Sequence, residues 1–188
     1  MVRTDTTNGA IIRKMVANQL GMTFFGLLVT MAAVQTEKPA IVLAAGLFSV
    51  LFYMYLLFYL TREQGRTDKI RIDGGRATAK PLRCTWLALA ANSVNLLLAG
   101  LAIVSKLIVS IVSNIPFAGA PEEGVKAAPE LAASIFKVCD MIYKLIHSMY
   151  NGIIVAMGQS DNPIWLLVFI IPSVLVCTLG YLMGLKNG

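Results

Sequence analysis

AIVLAAGLFSVLFYMYLLFYL, residues 40–60, is an apolar stretch without a single charged side chain. A helix needs roughly 20 apolar residues to cross a hydrocarbon core about 30 Å thick, so this stretch predicts a transmembrane helix. Three further segments meet the same requirement: residues 15–34, 84–105 and 163–185. The helical pattern of the third continues beyond the predicted span to residue 114, before Pro116 ends it.

The composition of the whole chain agrees with this interpretation. Of 188 residues, 57% are hydrophobic and 14% are charged, and the mean hydropathy is +0.72. Soluble domains are about 45–50% apolar and about 25% charged. The sequence therefore predicts an all-α integral membrane protein that forms a single helical domain over residues 1–188, with the lipid bilayer as its surroundings and no nucleic-acid partner.

The distribution of basic residues predicts the orientation. Three precede the first predicted span, seven lie between the second and third, and Lys186 follows the last, which makes eleven of the 16. The seven are Arg62, Arg66, Lys69, Arg71, Arg76, Lys80 and Arg83. Because cytoplasmic loops are enriched in Lys and Arg, we expect a multi-pass protein of the plasma membrane with a cytoplasmic N-terminus. In a four-span arrangement the C-terminus is cytoplasmic as well.

An amphipathic helix is predicted over residues 131–157, after a linker at 117–130. Its polar side chains recur at spacings of three and four, which places them along one narrow stripe of the helix. They are Lys137, Asp140, Lys144, His147 and Asn151. Almost all of the remaining surface is apolar.

Three placements of the 131–157 helix are compatible with this pattern. It can lie in the outer interface, although interfacial helices usually have a wider polar face. It can dip partway into the membrane as a re-entrant segment. It can also form a fifth span with its stripe facing the bundle interior, at a cost of about 2.5–3.5 kcal/mol for each central Asp or Lys. A fifth span would move Lys186 to the outside.

Two amides lie within the third predicted span. Asn92 and Asn95 share a helical face with Ala88 and Ala99. Small residues and amides at such a face can bring helices together. Alternatively, the amides line a polar pathway opposite the stripe at 137–151, which would serve an ion or a small solute.

Other residues indicate helix packing. Gly180 and Gly184 form a GxxxG pattern that permits a close contact between helices. Pro172 predicts a kink in the same helix. Gly21 and Gly26 in the first span are expected to mark close packing as well.

The basic connection between the second and third spans has two interpretations. Its seven basic residues can serve topology alone, or they can bind anionic lipid head groups. Residues 69–73 alternate in polarity and precede Gly74 and Gly75, which predicts a short strand and a hairpin turn.

The sequence gives little indication of catalysis, of a cofactor or of a metal site. His147 is the single histidine, the three cysteines are widely separated, and no hydrolase or protease motif is present. Two non-enzymatic functions remain. The first is a channel or permease, or a subunit of one, that is oligomeric. The second is an accessory protein that binds a membrane-protein partner through the 131–157 helix.

Overall fold

A computed structural model describes residues 7–78, 80–114 and 167–187 and, between the last two ranges, residues 131, 133–139, 141, 142, 145, 146, 150 and 153. Its helices are α1 (Asn8–Val34), α2 (Pro39–Asp73), α3 (Arg83–Ala91), α4 (Ser93–Asn114) and α5 (Ile170–Asn187). Most described positions between 131 and 153 are also helical. All regular structure in this part of the chain is helical, and α1, α2, α4 and α5 are each long and apolar enough to cross a membrane. The predicted helical class is thus confirmed, while the third predicted span, 84–105, is divided at Asn92 between α3 and α4.

The prediction of a strand at residues 69–73 is wrong, because α2 continues through these residues to Asp73. The helix ends in a Schellman motif: Gly75 has a φ of 68° and donates to the carbonyl of Ile72, and the amide of Arg76 donates to that of Arg71 over 2.8 Å. A short hairpin outside a larger sheet would be marginally stable, whereas the second half of α2 is held by contacts with α5 from Phe58 to Lys69. The two glycines therefore cap a helix.

Among the described helices, α2 and α5 make the closest backbone contact, and they run in the same direction. Gly180 lies beside Thr61, and Gly184 lies beside Gly65. A Cβ atom built on Gly184 would lie 2.9 Å from the Cα of Gly65 and would overlap the carbonyl oxygen of Arg62. The absence of side chains on these glycines lets the two backbones touch.

The other helices fix a common end of the bundle, which we call the basic end. The side chain of Arg83 at the start of α3 reaches both Asn8 at the start of α1 and Asp68 near the end of α2. Further along α3, the hydroxyls of Thr85 and Thr178 are 2.8 Å apart, so α3 runs antiparallel to α5. The basic end therefore contains the start of α1, the end of α2, the start of α3 and the end of α5. We call the opposite end the far end.

The outer surface of the bundle is apolar. Large side chains such as Leu20, Phe24, Leu51, Leu97 and Leu101 are each more than half exposed. In water, contiguous exposed apolar surface of this kind marks an interaction site, while in a bilayer it is the surface that contacts lipid. The composition and the apolar exterior together indicate a membrane protein.

Candidate functional site

A buried network of polar side chains holds the basic end together. The Asp68 side chain, which is 8% exposed, accepts a hydrogen bond from Arg83 Nη1 over 2.5 Å and one from the Tyr181 hydroxyl over 2.8 Å. Its other oxygen accepts from Gln64 Nε2 over 3.2 Å. Arg83 also donates to Asn8 Oδ1 through Nε and Nη2, over 3.1 and 2.8 Å. The network joins α1, α2, α3 and α5 around one carboxylate.

The charges of Asp68 and Arg83 can be buried because the two side chains pair with each other. A charge taken out of water is tolerated when it is paired and its remaining lone pairs are hydrogen-bonded, and charge-assisted bonds are the strongest of their kind. Asp68 meets both requirements with three donors. The negative charge at this position is therefore already compensated by Arg83.

A cavity of about 360 Å³ opens beside the network. Asp68, Arg83, Tyr181 and Asn8 contribute to its wall, together with two more basic residues, Arg71 and Lys80. Because Arg83 compensates Asp68, the charges of Arg71 and Lys80 leave the cavity positive. Such a lining suits an anionic group.

The seven basic residues between the second and third predicted spans fall into two groups according to whether they line the cavity. Arg71, Lys80 and Arg83 line the cavity, and the other four do not border it. Of those four, Arg66 pairs with Glu63 at 3.9 Å on the surface, and Lys69 donates to the carbonyl of Lys186 over 3.3 Å.

The two amide side chains of the third predicted span, Asn92 and Asn95, lie on a buried face of α3 and α4. Asn92 is 6% exposed and Asn95 is 3% exposed, in line with Ala88, Ala99 and Ala102. Asn92 Nδ2 donates to the carbonyl of Ala88, and Asn95 Nδ2 donates to Asn92 Oδ1. The two amides thus bond to each other and to their own helix, at the point where α3 ends and α4 begins.

Several described residues of the predicted 131–157 helix contact the bundle. Cys139 packs on Ala99 and Ala102 of α4, and Lys106 of α4 lies 5.9 Å from the centroid of the Phe136 ring. The Thr23 hydroxyl of α1 donates to the carbonyl of Ile146.

Tyr150 extends these contacts to the bundle core. It is 2% exposed and belongs to the same core cluster as Tyr53 of α2. Its ring stacks on Phe169, with centroids 4.4 Å apart, and its hydroxyl donates to the carbonyl of Phe169. A kink was predicted at Pro172. In the structure α5 begins at Ile170, so Pro172 lies in its first turn, and the helical backbone is interrupted before it by a turn at Phe169.

Of the predicted polar stripe, one residue lies within the described part of the chain. Lys137 is exposed, whereas Asp140, Lys144, His147 and Asn151 lie outside the described residues, as does the start of the predicted span at 163.

The glycines that were expected to mark close packing differ in burial. Gly26 is buried. Gly21 is exposed, and a Cβ atom there would meet nothing within 4 Å. Gly180 and Gly184 both lie at the contact with α2.

The Asp68 network is the part of the site that the sequence analysis missed. A signal for it exists in the buried positions of α2, which recur as Ser49, Tyr53, Leu57, Thr61, Gly65 and Asp68. This helical period continues beyond the apolar run and includes a carboxylate. An acid on the buried face of a helix requires a basic partner.

The fold and the site define a chain whose described regular structure is all helical, with the composition of a polytopic membrane protein and a cationic cavity at one end. Within the described residues no group of three metal-ligating side chains is close enough to hold an ion. Comparison with models of protein families, with curated proteins and with solved structures gives no significant match for this chain.

Proposed function

We propose that this chain is a subunit of an oligomeric membrane channel or permease, with a re-entrant segment at residues 131–157. The observation that carries the proposal is the contact between Thr23 and Ile146. Thr23 is fifteen residues beyond Asn8, which at 1.5 Å per residue is about 22 Å from the basic end. The first predicted span begins at Met15, eight residues before Thr23, so Thr23 lies about 12 Å deep in a hydrocarbon core about 30 Å thick.

The placement as a re-entrant segment follows from the direction of the helices. The backbone hydrogen bonds of Asn92 to Ala88 and of Leu96 to Asn92 carry α3 into α4, away from the basic end. Since α5 returns to the basic end, it begins on the side where α4 terminates. The chain between α4 and α5 therefore has both of its ends at the far end, and the contact with Thr23 at mid-depth supports the re-entrant placement. This interpretation favours four spans with both ends on one side, which the positive-inside rule makes cytoplasmic.

A re-entrant segment brings the predicted stripe into the membrane. Ionisable residues at that depth are costly, face a bundle interior or an aqueous cavity, and mark pathways for ions or small solutes. The stripe carries both signs of charge, with Asp140 four residues before Lys144. Because the backbones of α2 and α5 are in direct contact, a single copy has little room for a passage between them. The pathway is therefore expected between copies of the chain.

Flux through reconstituted protein tests the proposal. We expect the purified protein to raise potassium or chloride flux above that of empty liposomes, measured with ion-selective electrodes. Asp140→Asn should lower potassium flux by roughly tenfold, equivalent to about 1.4 kcal/mol of lost cation stabilisation. Glu37→Gln is the matched control, because it removes the same charge at an exposed turn. Wild-type flux no higher than that of empty liposomes, with correctly folded protein, would contradict the proposal.

The accessory function has one observation in its favour. The described residues Leu131, Ile135, Val138, Ile142 and Leu145 form an exposed apolar stripe at spacings of four, three, four and three. That stripe can contact a partner chain as well as lipid. The same flux measurement distinguishes the two functions, since an accessory protein would show neither the conductance nor its dependence on Asp140.

A further inference from the structure

An apolar groove borders the cationic cavity at the basic end. The groove, of about 530 Å³, is lined by Pro81, Leu82, Trp86 and Leu87. Asn8, Lys80 and Arg83 belong to the walls of both the groove and the cavity. The two spaces are thus two adjoining compartments, one charged and one apolar.

The exposed wall of the groove resembles a membrane interface. Trp86 is 69% exposed and Leu82 is 56% exposed, although both are large apolar side chains. Tryptophan is enriched at the level of lipid head groups, where its ring can contact both head group and hydrocarbon. The groove begins at residues 80–82, just before α3, and reaches Trp86 and Leu87 at the end of the first turn of α3. A molecule with a charged head at the basic end could extend an apolar tail along it.

We propose that the basic end binds one anionic phospholipid, with its phosphate in the cavity and an acyl chain in the groove. Arg71 and Lys80 supply the positive charge that Asp68 does not already compensate. A free phosphate ion would use the cavity alone and leave the apolar groove without a ligand, so the adjoining compartments favour the lipid. The inference requires the membrane placement proposed above, but it does not require transport.

Binding is tested with purified protein freed of lipid in detergent and then mixed with phosphatidylglycerol or phosphatidylcholine. Native mass spectrometry should show one phosphatidylglycerol bound per chain and much weaker binding of phosphatidylcholine. The double substitution Arg71→Gln with Lys80→Gln should weaken phosphatidylglycerol binding by about 30-fold, as expected for two basic residues near an anionic surface. Trp86→Ala should weaken it as well, without a change of charge.

The matched control is Arg66→Gln with Arg76→Gln, which removes two charges from exposed positions outside both compartments. We expect this control to bind phosphatidylglycerol like the wild type. Equal losses in the two double variants would overturn the proposal, because binding would then depend on total charge. Inorganic phosphate that displaces phosphatidylglycerol at low millimolar concentration, with no effect of Trp86→Ala, would also overturn it in favour of a free anion.

Discussion

Replacing Asp68 by alanine is expected to destabilise the protein by about 3–5 kcal/mol, because it leaves the Arg83 guanidinium without its carboxylate partner in a mostly buried position. Tyr181 and Gln64 would lose their acceptor in the same variant. The network joins four helices, so its loss should loosen the whole basic end. The measurement is thermal unfolding of the purified protein in a mild detergent.

Two further variants separate the network from general charge effects. Glu63→Gln removes a carboxylate that pairs with Arg66 on the surface, and such a pair contributes about 0–1 kcal/mol. Asp68→Ala combined with Arg83→Leu should cost less than the sum of the two single substitutions, since the residues lie in direct contact. Additive losses, or an effect of Asp68→Ala no larger than that of Glu63→Gln, would show that the buried pair does not stabilise the bundle.

The second large effect is expected from Gly184→Ala at the contact between α2 and α5. The new methyl group would meet backbone atoms of Arg62 and Gly65, which cannot move aside as a flexible side chain would. Overpacking of this kind costs about 1–3 kcal/mol. We expect a lower midpoint of thermal unfolding and faster cleavage by protease at the basic end.

The control for Gly184→Ala is Gly100→Ala in α4, where a Cβ atom would meet nothing within 4 Å. Alanine is the better helix former by roughly 1 kcal/mol, so this substitution should leave stability unchanged or raise it. The same chemical change therefore has opposite expected signs at the two positions. A loss of stability at Gly100 equal to that at Gly184 would contradict the close contact of α2 and α5.

The helical spans were predictable because a long uncharged run can satisfy its backbone in a bilayer only as a helix. The strand at residues 69–73 was wrong for a physical reason. Alternation of Ile70 and Ile72 with basic residues fits a strand locally, but α2 gains more from continuing beside α5, where Asp68 meets Tyr181. Local pattern could not reveal that tertiary contact.

The candidate site, like the fold, could be predicted from the sequence only in part. The face of Asn92 and Asn95 could be predicted from helical spacing, and both residues are buried. The cavity could not, because it combines Asn8, Arg71, Lys80 and Arg83 from separate parts of the chain. Their proximity depends on where α1 begins, where α2 ends and where α3 begins.

The most direct test of the central claim is a cross-link between Thr23→Cys in α1 and Ile146→Cys, made in a chain whose three cysteines are replaced by alanine. The re-entrant placement predicts a disulfide-bonded product when native membranes are treated with a membrane-permeant oxidant, because the Thr23 hydroxyl contacts the backbone carbonyl of Ile146 and the two backbones are therefore close. Phe24→Cys with Ile146→Cys is the control pair, since Phe24 is 64% exposed and should give no product. Absence of a Thr23–Ile146 product, together with labelling of the Ile146→Cys thiol by an impermeant maleimide from outside, would place the segment outside the bundle and contradict the account.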